Sequence, residues 1–318
     1  MGYSFLTDER NNYAALYGSH LADAKFDNGD FTYEAAAGAV ELDRTAMREW
    51  LGRMDALLDT ITFAIHISGG QPARAPELAS IMLQNDQISR RSIFAKRDTL
   101  CLVTTYWKGQ SIYQSQREVA RYLPKELAQL VLQYLVLIRP CIRRVAIILL
   151  ANDAAEQRAI ARAYDDYLFA RNGQPTTAVH LRQSFVRHWA LYTKYDVNFR
   201  DYRQFSRAFI INLCHAGKEE NMQLISSDGN EEDISPGDFM VDLANLHGQQ
   251  LMDTSIDFQA GHSNNIAERV YGRSNETMAT ISSLVDLQFF IISGLWHSLL
   301  RKYHMSALSV VPAIIGNK

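Results

Sequence analysis

The chain has 318 residues, 47% of them hydrophobic and 21% charged, and a formal net charge of −3, an ordinary globular composition with apolar content enough for one large domain or two smaller ones. The charge is unevenly spread: residues 71–210 hold 21 Lys/Arg against 11 Asp/Glu (+10), residues 1–70 carry −6 and residues 211–318 carry −7. A net acidic total therefore does not exclude a phosphate-bearing partner, because the basic middle can follow a nucleic-acid backbone, although a solvated helical face would give the same count.

Three cysteines, Cys101, Cys141 and Cys214, stand far apart without a CxxC pair or a histidine at ligand spacing, so neither a disulfide framework nor a zinc site is expected. A reducing compartment fits, and no metal or other cofactor is expected. Met1 to Arg10 is polar and already acidic, which argues against a secretory signal there. The most apolar run, Ile281 to Leu300, contains Asp286, Gln288 and His297 and is expected to be a buried helix, not a membrane span.

In chain order, residues 1–34 read as a loop anchored by aromatic residues, with a turn at Asp27-Asn28-Gly29-Asp30. From Asp43, a candidate N-cap, apolar residues at helical spacing from Met47 to Ile65 predict a core helix to about His66, acidic on its outer face and stopped by Ser68-Gly69-Gly70. A Gly/Pro loop then carries Arg74 into a helix with Pro76 in its first turn, and Glu77 is placed to hold the guanidinium. Ser92 to Thr105 predicts a hairpin turning at Arg97-Asp98, whose second strand delivers Lys108 to the rim of a cleft. After a polar stretch to Glu118, a helix from Leu127 is expected to end before Pro140. Residues 141–171 read as helical again, with Arg143-Arg144 at their start, and Val179 to Tyr195 as a further helix.

Phe199 to Ile210 predicts a helix with Asp201 as its cap and Arg200, Arg203 and Arg207 near its start. Cations there oppose the helix dipole, a cost that makes sense where an anion binds. Residues 218–257 hold ten acidic residues and one lysine, and read as an inserted acidic loop. Gly261-His262 then precedes Tyr271 by nine positions, so imidazole and phenol can converge only where the chain turns. A buried tyrosine bonded to a backbone carbonyl would leave the same pattern.

Arg74 with Glu77, Lys108 on a hairpin, Tyr202-Arg203-Gln204 opening a helix, and Gly261-His262 ahead of Tyr271 resemble, in type and order, the catalytic domain of the tyrosine recombinases. The wording of Pro72-Ala73-Arg74-Ala75-Pro76-Glu77-Leu78, Asp201-Tyr202-Arg203-Gln204 and Gly261-His262-Ser263 through Tyr271-Gly272-Arg273 looks most like the recombinases of Crypton-type DNA transposons and related helicase-linked sequences of fungi. The resemblance implies a mainly α fold with a small β-hairpin or sheet, and cleavage and rejoining of double-stranded DNA through a 3′-phosphotyrosyl link. It implies no cofactor, a homo-oligomer on DNA, no membrane, and a nuclear location in a eukaryote or a cytoplasmic one otherwise. Arg74 and Arg203 would hold the non-bridging oxygens, whose charge grows as the nucleophile adds and which planar guanidinium forks fit in pairs. Tyr271 would attack phosphorus, Lys108 would protonate the departing 5′-oxygen, and His262 would donate a hydrogen bond. Arg200, Gln204 and Arg273 would contact substrate.

This sequence departs from the family where histidines usually flank the second arginine: Arg200 and Gln204 stand there, so no general base is evident. Arg182 is a rival second arginine, with Arg203 preferred because it leads a helix and lies nearer Gly261-His262. The expected organisation is an N-terminal extension with one long helix (1–68), a catalytic domain (69–275) with the acidic insertion, and an apolar helix and tail (276–318). The other readings are a catalytically impaired DNA-binding or assembly module of this fold and an enzyme of the type IB topoisomerase kind. No P-loop, zinc-protease helix or G-x-S-x-G elbow occurs, which argues against ATPase, metalloprotease and hydrolase chemistry.

Overall fold

The computed structural model describes residues 3–11, 13, 20–35, 39–85, 90–106, 117–216, 259 and 283–302. Among these the chain is mainly helical with small antiparallel sheets, as expected. Its centre is helix α2, Arg44–Ser68, after a short helix α1, His20–Asp27, and a small hairpin of β1, Thr32–Glu34, with β2, Val40–Leu42. Asp43 caps α2 as its sequence predicted, with Oδ1 accepting from the backbone N–H groups of Thr45 at 3.0 Å and Ala46 at 2.9 Å. Every residue from Leu58 to Ser68 is buried, so the second half of α2 is enclosed on all sides and not merely amphipathic.

Around α2 lie α3 (Ala75–Ala79), α4 (Lys125–Gln133), α5 (Arg139–Leu150), α6 (Ala154–Asp166), α7 (Ala178–Tyr192), α8 (Phe199–Ala216) and α9 (Ser283–Lys302). One apolar core runs from Phe5 through α2 to Trp296 and Leu300, so it continues across positions 68 and 275. A three-stranded sheet of β3 (Ile93–Lys96), β4 (Thr99–Tyr106) and β5 (Arg117–Tyr122) stands beside it, in the order β3-β4-β5. Arg97 and Asp98 both take positive φ, 52° and 54°, the mirror-image turn whose twist suits a two-residue hairpin. Cys101, Val103, Val119 and Tyr122 form a second apolar cluster under Phe289 of α9.

Several expectations need correction. Residues 1–34 are not all loop: they contain α1, and Phe5, Leu6 and Phe31 enter the core. The outer face of α2 is not a solvated acidic one, since Asp55 and Asp59 are buried against a cluster of cations. Arg171 approaches both carboxylates at 3.6 Å, and His180 Nε2 lies 2.9 Å from Asp59. The helix from Lys125 does not stop before Pro140. It runs through a π-helical turn, Tyr134–Ile138, into α5; a wider turn accommodates a proline ring and its missing N–H. Residues 141–171 are two helices divided at Ala151–Asp153, with Asp153 capping the second. The cap of α8 is Asn198, whose Oδ1 accepts from the N–H groups of Arg200 and Asp201; Asp201 returns the bond to the Asn198 N–H.

The apolar C-terminal run is a helix buried within its own fold, α9, and among the described residues no helix is long and apolar enough to cross a membrane. Asp286 anchors it to the hairpin, 2.6 Å from Lys96 Nζ, 3.3 Å from Arg97 Nη2, and accepting from Tyr122 OH at 2.5 Å. The carbonyl of Ile67, one of those that the end of α2 leaves without a helical partner, accepts from both Tyr202 OH and Trp296 Nε1 at 2.7 Å. Those two bonds seat α8 and α9 against the end of α2.

Candidate anion site at the end of the central helix

The chain leaves α2 through Gly69 to Arg74. Gly70 has φ +91°, and a side chain there would start 2.7 Å from Ser293 Oγ and 2.9 Å from Gln259 Oε1, so the loop lies against α9 where only glycine fits. Glu77, in the first turn of α3, accepts from the Arg74 backbone N–H at 3.0 Å and lies 3.7 Å from its Nε. The expected Arg74–Glu77 pair thus forms, and it fixes the backbone as much as the guanidinium.

Arg203 reaches the same loop from the second turn of α8. Its Nε donates to the Pro72 carbonyl at 3.1 Å, which ties α8 to the loop two residues ahead of Arg74. Both are only partly buried. Arg182, the rival, is exposed on α7. Arg200 and Gln204 are exposed on α8. Lys108, His262, Tyr271 and Arg273, and the acidic segment 218–257, lie outside the described residues.

A third cation lies beneath the pair. Arg121 of β5 is 5% exposed and donates from Nε to the Gln71 carbonyl at 2.6 Å, from Nη1 to Thr104 Oγ1 at 2.6 Å and from Nη2 to the Gln259 carbonyl at 2.8 Å. Burial lowers its pKa to about 10, and the nearby Arg203 charge adds to this while Glu77 opposes it, so the group is still a cation at neutral pH. Gln259 is itself wholly buried. Its Oε1 accepts from the Gln71 N–H at 2.9 Å and its Nε2 donates to the Ala120 carbonyl at 3.0 Å.

His66, in the last turn of α2, completes the surroundings. Its ring stacks on Phe199 at 3.8 Å, and neither nitrogen has a hydrogen-bond partner. Burial, with the charges of Arg203 and Arg121 adding, holds its pKa well below the usual value, so the ring is neutral. The Arg203 and Arg121 charges are thus both felt at His66, and Glu77, the partner of Arg74, is felt at Arg121.

No protein-family model matches the chain, and no solved structure matches it. The site therefore rests on its own geometry. Sequence reasoning missed Arg121, Gln259 and His66. Arg121 left a signal, a lone cation in the apolar run Val119-Ala120-Arg121-Tyr122-Leu123; a glutamine and a helical histidine left none. A cavity of about 630 Å3 lies elsewhere, lined by Leu6, Arg139, Arg143 and Tyr164 among others. Arg139 spends its guanidinium there on the carbonyls of Tyr164, Tyr167 and Leu168 near the end of α6, a structural use that leaves little for an anion. Among the described residues no group of three or more His, Cys, Asp and Glu side chains is arranged to hold a metal ion.

Proposed function

We propose that this protein breaks and rejoins double-stranded DNA, with Arg74 and Arg203 seating the scissile phosphate and Tyr271 as the nucleophile. The observation that supports the reading is the bond from Arg203 to the Pro72 carbonyl, which ties the helix carrying Arg203 to the loop that ends in Arg74. Guanidinium forks beside a buried third cation suit an oxyanion whose charge grows during attack, and one such donor is worth on the order of 3–4 kcal/mol. Gln259, held by Arg121, stands three positions ahead of His262 in the sequence. Lys108, four positions past Thr104, would supply the proton to the departing 5′-oxygen. Arg200, Gln204 and Arg273 would bind flanking phosphates, and the protein would act as a homo-oligomer on its DNA.

A pool of nicked duplexes of randomised sequence tests this, because loss of the short strand traps the covalent intermediate. The wild type should yield an adduct that survives denaturing electrophoresis, and Tyr271→Phe should yield none. Exposure of Arg200 and Gln204, where the resembled family carries histidines, favours a second reading, a DNA-binding module without cleavage. Salt-sensitive binding with no adduct, unchanged by Tyr271→Phe, would establish that reading instead. Relaxation of any supercoiled plasmid by a monomer would point to topoisomerase chemistry.

A further inference from the structure

We infer that Arg121 is the positioning residue of this site, a buried fork that sets the Arg74 loop, the strand leading to Lys108 and the segment leading to His262 in register with one another. The inference rests on the strand-breaking reading for its purpose, and on the geometry alone for its mechanism. Each acceptor of the fork lies on a different piece of chain: Gln71 on the loop, Thr104 on β4 and Gln259 on the segment beyond α8. Each also stands three or four positions ahead of a candidate catalytic residue, Gln71 before Arg74, Thr104 before Lys108 and Gln259 before His262. Arg203 joins the same knot through the carbonyl of Pro72, next to Gln71. The Gln71 side chain reaches the Ser206 carbonyl, one turn along from Arg203, at 3.5 Å.

The chemistry of the fork explains why arginine stands there. Three acceptors in three directions need a planar group with donors on separate nitrogens, which an ammonium cannot reproduce. None of these acceptors is a carboxylate, so the bonds hold the cation without neutralising it, and its charge remains available to an anion held by Arg74 and Arg203. The second half of the knot is Gln259, whose amide closes the loop by accepting from Gln71 and donating to Ala120 and Ser293. Cutting one tie should loosen the others.

Arg121→Lys keeps the charge and loses the fork, and Thr104→Val removes one acceptor at nearly constant shape, so the second remains informative if the first folds poorly. In the full-length chain, with the nicked duplex pool as probe, Arg121→Lys should slow adduct formation about 100-fold, the cost of misplacing groups by roughly 1 Å, while affinity for a labelled duplex changes less than about threefold. Thr104→Val should slow it about tenfold. In both variants amide hydrogen exchange at Gln71 should rise at least about tenfold, with no DNA present, because its acceptor on Gln259 is no longer held. Wild-type adduct rates in a folded Arg121→Lys, or equal losses of affinity and rate, would overturn the positioning role. If the wild type itself forms no adduct, the strand-breaking reading fails, and unchanged exchange at Gln71 would separately refute the knot.

Discussion

A buried imidazole with neither nitrogen hydrogen-bonded, as at His66, is costly to keep, about 1–3 kcal/mol for each unsatisfied polar group. Its neighbours are the rings of Phe199, Phe185 and Tyr202 and, at longer range, the charges of Arg121 and Arg203. Its folded-state pKa lies well below the 6.5 of an unfolded chain, so as pH falls the unfolded state takes up the proton first. The stability that goes with the neutral ring is thus fully present above the unfolded pKa and is lost as pH falls below it. His66→Phe should be at least as stable as the wild type at pH 8. Below pH 6.5 the difference should grow in favour of the variant by up to about 1.4 kcal/mol per pH unit, read from denaturant unfolding at several pH values. A gap that stays constant with pH would mean that the ring is charged or solvated in the fold.

At the scale of elements, α9 and the β3–β4 hairpin meet through one carboxylate. Burial opposes ionisation of Asp286, but hydrogen bonds from Lys96 and Tyr122 outweigh it and hold its pKa below the usual carboxylate value. Asp286→Asn keeps the shape and removes the charge facing Lys96 and Arg97. It should cost about 1–3 kcal/mol of stability and make α9 the first segment cleaved in limited proteolysis; an unchanged cleavage order would show that apolar contacts alone hold the helix.

The elements that could be read from the chain were those with a local signature. The α2 cap at Asp43, the stop at Gly69-Gly70 and the Arg97-Asp98 turn each follow from the preferences of one or two residues. What was illegible depended on partners far away. β5 carries Arg117, Glu118 and Arg121 in six residues and shows no alternation, because α9 covers one of its faces and the knot at Arg121 fills part of the other. Asp55 and Asp59 read as surface residues until Arg171 and His180 arrive from more than a hundred positions away. Pro140 would end a lone helix, yet tertiary packing stabilises the π-helical turn that absorbs it.

For the whole molecule, charge and topology converge on the end of α2. Arg74, Arg121 and Arg203 all belong to the basic middle of the chain; Arg74 ends the Gly69–Arg74 loop, and Arg121 and Arg203 reach it from β5 and α8. Arg203, which motif order had singled out, bonds the loop that ends in Arg74, whereas Arg121 and the buried Gln259 had no motif to mark them. The account depends on one oxyanion being shared by Arg74 and Arg203, and a crystal soaked with vanadate, which mimics a phosphoryl group under attack, would show this most directly. It predicts vanadate oxygens within about 3 Å of both guanidinium groups, close to the Gly69–Arg74 loop. Vanadate bound elsewhere, or held by one arginine with the other turned away, would contradict it.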